Sequence, residues 1–441
     1  MAVIQPPTNI TSLDVEPRTI PRSEHNVSRA DISESALKVL YRLKNAGYKS
    51  YLVGGGVRDL LLGIRPKDFD VVTDARPEQI RELFRNCQLI GRRFRLAHVR
   101  FGREIIEVST FRAPHHIARG EGHTEEGRII RDNVYGDIDN DAWRRDFTVN
   151  ALFYNIADFS VVDYVGGLND IKDRQLRLIG DPIARYREDP VRMLRAIRFA
   201  AKLDFTIYPS TEKPISEIKH LLKNIPSARL FEEFMKLFLG GHALNTYMQL
   251  RQYGLFEYLC PQANQFLDEG SGGFLHELLV QVFQNTDTRL LEDKPVTPAF
   301  LLAAMLWVPL IRLVSDYKSN GLAEMDAVQL ASDAVISKQV SSLAMPRRFS
   351  RMLREIWSLQ SRLKHRQGKR PYRLLSHPRF RAAYDFLLLR ADAGDDIQEL
   401  AHWWTDFQEN NIEQYGYQPR GNSGKKRGGK RYHHHRKSLT K

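Results

Sequence analysis

A chain of 441 residues exceeds what one hydrophobic core usually serves, so roughly two to four domains are expected. A formal net charge of +13 points to a polyanionic partner, while a hydrophobic fraction of 42% with no apolar run near the ~20 residues of a membrane span argues against a membrane protein. The only two cysteines, Cys87 and Cys260, exclude a disulfide framework and a four-ligand zinc site, and the expected setting is a reducing cytoplasm.

Residues 1–30 are rich in Pro, Ser and Thr, lack the apolar core of a signal peptide, and read as a disordered N-terminal arm. Over 33–46 the spacing of Leu37, Leu40 and Leu43 predicts a helix, with Ser33 or Asp31 as its N-cap and Gly47 as its stop. Short β-like segments follow at 51–53, 69–72, 88–90, 97–101 and 105–110, with a helix from Pro77 between the second and third. Residues 113–141 lack apolar periodicity and read as a long mobile loop beside a working surface. A last strand is expected over 161–165, followed by a hinge at Gly166 and Gly167. From Glu188 onward the pattern is almost wholly helical. From Arg420 to the end there are nine Lys/Arg and no acid, which leaves +4 for the rest of the chain; this tail is disordered by composition. His433–His435 extend that basic tail and, like His115 and His116, are assigned no metal.

The strongest chemical signal is LVGGGVRDLLLG at 52–63 followed by KDFDVVTDA at 67–75. A strand ends in Gly54, Gly55 and Gly56, a helix opens, and a second strand carries Asp68 and Asp70. Glycines let backbone N–H groups close on phosphate oxygens. Residues i and i+2 of a strand share a face, so the two aspartates can share divalent metals. That pairing suits phosphoryl transfer, in which metals activate a hydroxyl and neutralise a leaving pyrophosphate. Arg58 suits a triphosphate contact, with a salt bridge to Asp59 as the alternative.

In this order the motifs resemble the class II nucleotidyltransferases, the family of bacterial poly(A) polymerases and tRNA CCA-adding enzymes. The resemblance continues over about the first 240 residues. RRDFTVNALFY at 144–154 resembles a ribose- and phosphate-contacting motif, and DYVGGLNDI at 163–171 a flexible head–neck hinge. REDPVRMLRAIRFAAKL at 187–203 is similar to a nucleotide-reading helix, and SARLFEEFMKLF at 227–238 to a neck-stabilising one. The resemblance implies that Asp68 and Asp70 are metal ligands and catalytic carboxylates, with Arg145 at the triphosphate. For a third carboxylate it leaves Glu107, on a neighbouring strand, and Asp146, which could instead hold Arg144 or Arg145 in place. Asp189 and Arg192, three apart on an expected helix face, would read the Watson–Crick edge of adenine; an ordinary surface salt bridge is the alternative.

The implied fold is α+β: a nucleotidyltransferase head with a small mixed β-sheet (31–180), a helical neck that recognises the nucleotide (181–240), a helical RNA-binding body (241–410) and a disordered basic tail (411–441). The implied substrates are ATP and single-stranded RNA 3′ ends, with Mg2+, or Mn2+ as an alternative, as cofactor. The expected protein is a monomer, without membrane attachment, that works with RNA-decay machinery and an RNA chaperone. LIGRRFRL at 89–96 resembles a poly(A) polymerase signature, with Arg92 and Arg93 gripping phosphate; alone it would also suit a basic turn. Between Pro346 and Arg373 ten Lys/Arg face one acid, Glu355, with Trp357, His365 and Tyr372 interleaved. That mixture suits single-stranded RNA, with Arg347, Arg348, Lys369 and Arg370 on phosphates and rings for stacking. CCA addition, or RNA binding by a catalytically dead head, are the competing functions.

Overall fold

The computed structural model describes residues 17–91, 95–112, 135–268 and 273–415. The chain divides into two compact units, Met1–Arg354 and Glu355–Lys441.

The first unit opens on an eight-stranded sheet in the order β1-β8-β7-β2-β3-β6-β5-β4. Its strands are β1 (Arg18–Ile20), β2 (Ser50–Val53), β3 (Asp70–Thr73), β4 (Cys87–Ile90), β5 (Leu96–Phe101), β6 (Glu104–Thr110), β7 (Leu152–Asn155) and β8 (Val161–Asp163). All neighbours are antiparallel except β3 and β6, which run parallel, because the chain returns to the sheet through α3 (Pro77–Leu83) and the β4–β5 hairpin. One face is apolar. Leu52, Val71, Val99, Ile106 and Val108 meet Val39, Leu40 and Leu43 of α1 (Glu34–Asn45) and Ile80 of α3. Alternation along β6 sends Ile106 and Val108 into that core and leaves Glu107 exposed. Ser33, rather than Asp31, caps α1, accepting from Ala36 N at 3.1 Å.

Three segments depart from the sequence expectations. The arm expected to be disordered supplies β1, which pairs with β8 and buries Ile20. Residues 152–155, expected only as part of a motif, form β7 between β8 and β2; their apolar run suits a strand buried on both faces. The expected loop over 113–141 lies outside the described residues up to 134, but its last residues start α4 (Ile138–Arg144), capped by Asp137.

The hinge expected at 163–171 is held tightly. Asp163 is buried and accepts N–H groups of Val165, Gly166, Gly167 and Leu168 at 2.9–3.0 Å, which starts α5 (Gly167–Lys172). A Cβ on Gly167 would stand 2.3 Å from the Thr148 carbonyl oxygen, so only glycine allows this approach. Beyond α5, β9 (Gln175–Leu176) pairs with β10 (Thr206–Ile207), and the chain is otherwise helical: α6 (Pro182–Glu188), α7 (Val191–Leu203), α8 (Pro209–Ile218), α9 (Ser227–Phe238), then helices from α10 (Ala243–Gln252) to α16 (Glu324–Ser342). Among the described residues no single helix is long and apolar enough to cross a membrane.

The division between units falls within α17 (Arg347–Leu363). In the second unit, Leu359 and Leu363 pack with Leu374 and Leu375 of α18 (Arg370–Leu375), Phe380 and Tyr384 of α19 (Phe380–Asp392) and Trp404 of α20 (Gln398–Tyr415).

Candidate active site

The glycine turn and the acidic strands meet at one end of the sheet. Gly54 has φ 74° and ψ −139°, a conformation that side chains disfavour. A Cβ there would lie 3.5 Å from Arg145 Nη1 and 3.9 Å from Asp70 Oδ2. Gly56 likewise lets α2 (Gly55–Leu61) approach the Asp68 carbonyl, which a Cβ would meet at 3.5 Å. Asp70 is the first residue of β3, and Asp68 stands just before the strand rather than on it. Asp70 is register partner of Glu107 on β6, so these two carboxylates leave the sheet side by side. Asp70 keeps access to water, yet burial of its carboxylate and then the charges of Glu107 and Asp68 push its pKa up to about 6, against the pull of Arg145. Crowded carboxylates of this kind favour a cation between them.

Arg58, expected at a triphosphate, is committed elsewhere. Its side chain is sealed from solvent, donating to Asp59 Oδ1 from Nε at 2.9 Å and Nη2 at 2.6 Å and to Asn150 Oδ1 from Nη1 at 2.5 Å. Lys202 of α7 adds a bond to Asp59 at 3.1 Å. The alternative of an Asp59 salt bridge is therefore the observed one, because that pair is buried where an unpaired guanidinium would be costly. Arg145 donates to Asp141 at 2.9 and 3.1 Å and remains beside Gly54 and Asp70.

Asp146 differs in kind from Glu107. Its Oδ1 accepts from Phe147 N at 2.9 Å and Asn150 Nδ2 at 3.1 Å, and its Oδ2 from Nε (2.7 Å) and Nη2 of Arg195 on α7. Burial alone would raise its pKa; the Arg195 charge and these hydrogen bonds more than offset that and hold it far below the usual carboxylate range. Both oxygens are saturated, so Asp146 fixes a loop and an arginine, and the arginine is Arg195 rather than either neighbour expected. Three guanidinium groups, Arg58, Arg195 and Arg198, lie 4.7–5.3 Å from the Phe199 ring centroid.

The pair expected to read adenine is also arranged differently from the sequence expectation. Pro190 disfavours a helical Asp189, which sits extended (φ −149°, ψ 92°) between α6 and α7 instead of sharing a helix face with Arg192. Asp189 Oδ2 accepts from Arg229 of α9 at 2.7 Å, while Arg192 donates to Glu188 at 2.5 Å and the Arg185 carbonyl at 2.6 Å. The alternative reading, a surface bridge between Asp189 and Arg192, is not the pairing observed: Arg192 pairs with Glu188 and Asp189 with Arg229. Arg185 reaches back to the carbonyls of Arg144 and Arg145, each at 2.7 Å. Asn150, Arg195 and Arg229 are not singled out by the sequence, since Asn150 joins Arg58, 92 residues away, and the partners of Arg195 and Arg229 lie 49 and 40 residues away. Only Glu188, four before Arg192, left a local signal.

Arg92 and Arg93 lie outside the described residues, as does the chain from 416 onward. Arg347, Arg348, Lys369 and Arg370 are exposed as phosphate contacts require, but Trp357 is 1% exposed and is not available for stacking. It occupies the apolar face of α17, three residues from Arg354 and one from Ile356. Tyr372 packs edge-on to Phe407 at 5.1 Å, and His365 is exposed.

Comparison with known proteins places this geometry. Residues 50–177 match the poly A polymerase head domain family, 204–267 a probable RNA- and SrmB-binding site of polymerase A, and 320–438 the arginine-rich C-terminus of polymerase A. The chain is 53% identical over 396 residues to poly(A) polymerase I of Salmonella typhimurium, covering 88% of this chain and 85% of that one. A CCA-adding enzyme of Lactobacillus helveticus is 37% identical over 217 residues, only 49% of this chain and 53% of that one. Among solved structures, a tRNA nucleotidyltransferase complexed with a primer tRNA and an incoming ATP analog superposes with a TM-score of 0.56 at 25% identity, over 85% of this chain and 99% of that one.

Proposed function

Because the chain belongs to the poly(A) polymerase family, matching a member over 88% of its length at 53% identity, we propose that its carboxylate row and glycine turn are the machinery of RNA polyadenylation. The protein is a polynucleotide adenylyltransferase that extends RNA 3′ ends from ATP without a template. The CCA-adding enzyme of Lactobacillus helveticus aligns with only 49% of it, at 37% identity. In each addition the RNA 3′ oxygen attacks the α-phosphorus of ATP, the bond to the β-bridging oxygen breaks, and pyrophosphate leaves.

Asp70 and Glu107, with Asp68 alongside, fit a divalent cation: they are oxygen donors only, and two adjacent strands crowd their charge. Among the described residues no group of three or more acidic, His or Cys side chains is drawn close enough to hold an ion by itself. Mg2+ commonly completes its shell with substrate phosphates and water, so Mg2+, with Mn2+ as the alternative, is the ion we assign. When bound, it would lower the pKa of the attacking hydroxyl and neutralise the leaving pyrophosphate.

The other roles follow from position. Backbone N–H groups of Gly54–Gly56 and the Arg145 guanidinium receive the triphosphate. Asp189 and Arg192, each braced by a separate partner, present an acceptor and donors to the adenine edge. Asp146 braces the site through Arg195 and carries no metal, and Arg58 acts from the interior. Residues 31–180 form the catalytic head, 181–240 the neck and 241–410 the body, whose Arg347, Arg348, Lys369 and Arg370 hold RNA phosphates. We place the enzyme in the cytoplasm, as a monomer serving RNA decay beside an RNA chaperone.

The observation that carries this assignment is the Asp70–Glu107 pair set against Gly54 and Arg145. Incubation of an adenosine-ended RNA with Mg2+ and each nucleotide separately tests it. ATP alone should give long, heterogeneous tracts. Extension confined to tRNA-like ends, needing CTP and stopping after three additions, would overturn it.

A further inference from the structure

His98, Glu107 and Asp70 are register neighbours on β5, β6 and β3, so the three side chains leave the same face in one transverse row. His98 Nε2 lies 3.3 Å from Glu107 Oε1. That nitrogen is buried and has no well-aligned hydrogen bond among the described residues, a state that is costly until a partner closes on it. Glu107 has the complementary problem: 49% of its side chain is exposed, and the charge beside it, Asp70, repels it. Left alone, its carboxylate would swing toward water.

We propose that His98 is a positioning residue for Glu107, donating from Nε2 to Oε1 so that the other carboxylate oxygen stays beside Asp70 for the catalytic cation. Hydrogen bonds of this kind are often long before substrate binds and tighten afterwards. Groups that orient ligating carboxylates typically account for 10- to 100-fold in metal affinity or activity. The proposal rests on the assignment of Asp70 and Glu107 to the metal.

The test uses the full-length enzyme with His98→Ala, His98→Gln, Glu107→Gln and Asp70→Asn. Mn2+ binding is followed by electron paramagnetic resonance with a non-hydrolysable ATP analogue, alongside kcat, the KM for ATP and thermal melting. His98→Ala should melt near the wild type and keep its KM, while kcat and Mn2+ affinity both fall about 10- to 100-fold. His98→Gln should recover most of both, because its amide can donate to the same oxygen. If His98→Ala does not fold, His98→Gln carries the test, and a folded His98→Gln as impaired as Glu107→Gln overturns the proposal. So does a folded His98→Ala with wild-type kcat and Mn2+ affinity. An inactive Asp70→Asn beside a fully active His98→Ala sinks the positioning role alone, whereas an active Asp70→Asn removes the metal assignment and this role with it.

Discussion

Asp70 illustrates a conflict between function and stability in one side chain. Its folded pKa of about 6 lies above the ~3.9 of an unfolded aspartate, so the native state holds the proton more tightly and its loss by pH 7 works against the fold. Asp70→Asn should therefore cut primer extension by about three orders of magnitude or more. The metal-free protein should meanwhile become more stable, by about 1 kcal/mol after allowance for solvent screening. Parallel extension assays and urea titrations in chelator would expose any variant in which both properties fall. Asp146 behaves oppositely. Its folded pKa is depressed, so its contribution is complete above about pH 5 and fades as pH drops further, when the unfolded chain takes up a proton that the native state refuses. Asp146→Asn should cost on the order of 2–3 kcal/mol at pH 7, less than a fully sealed pair because Arg195 keeps 31% of its side chain exposed. The gap from wild type should narrow in urea titrations at pH 3.5; a constant gap would mean that the charge is not what matters. Both aspartates were legible as site residues in the sequence, but not this difference, because saturation of Asp146 depends on an arginine 49 residues away.

At the scale of elements, what the sequence expressed locally agrees with the structure. The α1 cap, the positions of β3, β5 and β6 and the glycine-led turn into α2 all follow from residues within a few positions of one another. What it did not express were pairings that need a partner from far along the chain: β1 on β8, β7 between β8 and β2, and α9 supplying Arg229 to Asp189. Pro190 was visible, yet helical periodicity on both sides masked its effect on Asp189. The turn into α5 gives a direct test of a glycine reserved for close approach. Gly167→Ala would drive a methyl into the Thr148 carbonyl and should destabilise the protein by about 2–3 kcal/mol. A chemical denaturation midpoint within error of the wild type would mean that Thr148 and α5 can separate freely. Gly273→Ala serves as the control, a glycine outside the left-handed region with nothing within 4 Å.

For the whole molecule, the charge is divided unevenly, with nine of its cations after residue 419. Deleting residues 420–441 should raise the KM for RNA and leave single-turnover chemistry unchanged. If all nine cations meet single-stranded phosphates, the slope of log K against log salt should shrink by about 6, and partial contact should give less. Identical slopes with and without the tail would remove it from RNA binding. Distance along the chain has a further effect on when activity can begin. Asp68, Asp70 and Glu107 lie before residue 110, but Arg195 braces Asp146 and Arg229 braces Asp189. A ribosome adding about 5–20 residues per second needs roughly 10–30 s to travel from Asp70 to Arg229. Over that interval the nascent chain carries Asp70 and Glu107 without the two arginines that hold Asp146 and Asp189. A polymerase that extends RNA is thus born beside its own message before the contacts that fix these two aspartates exist.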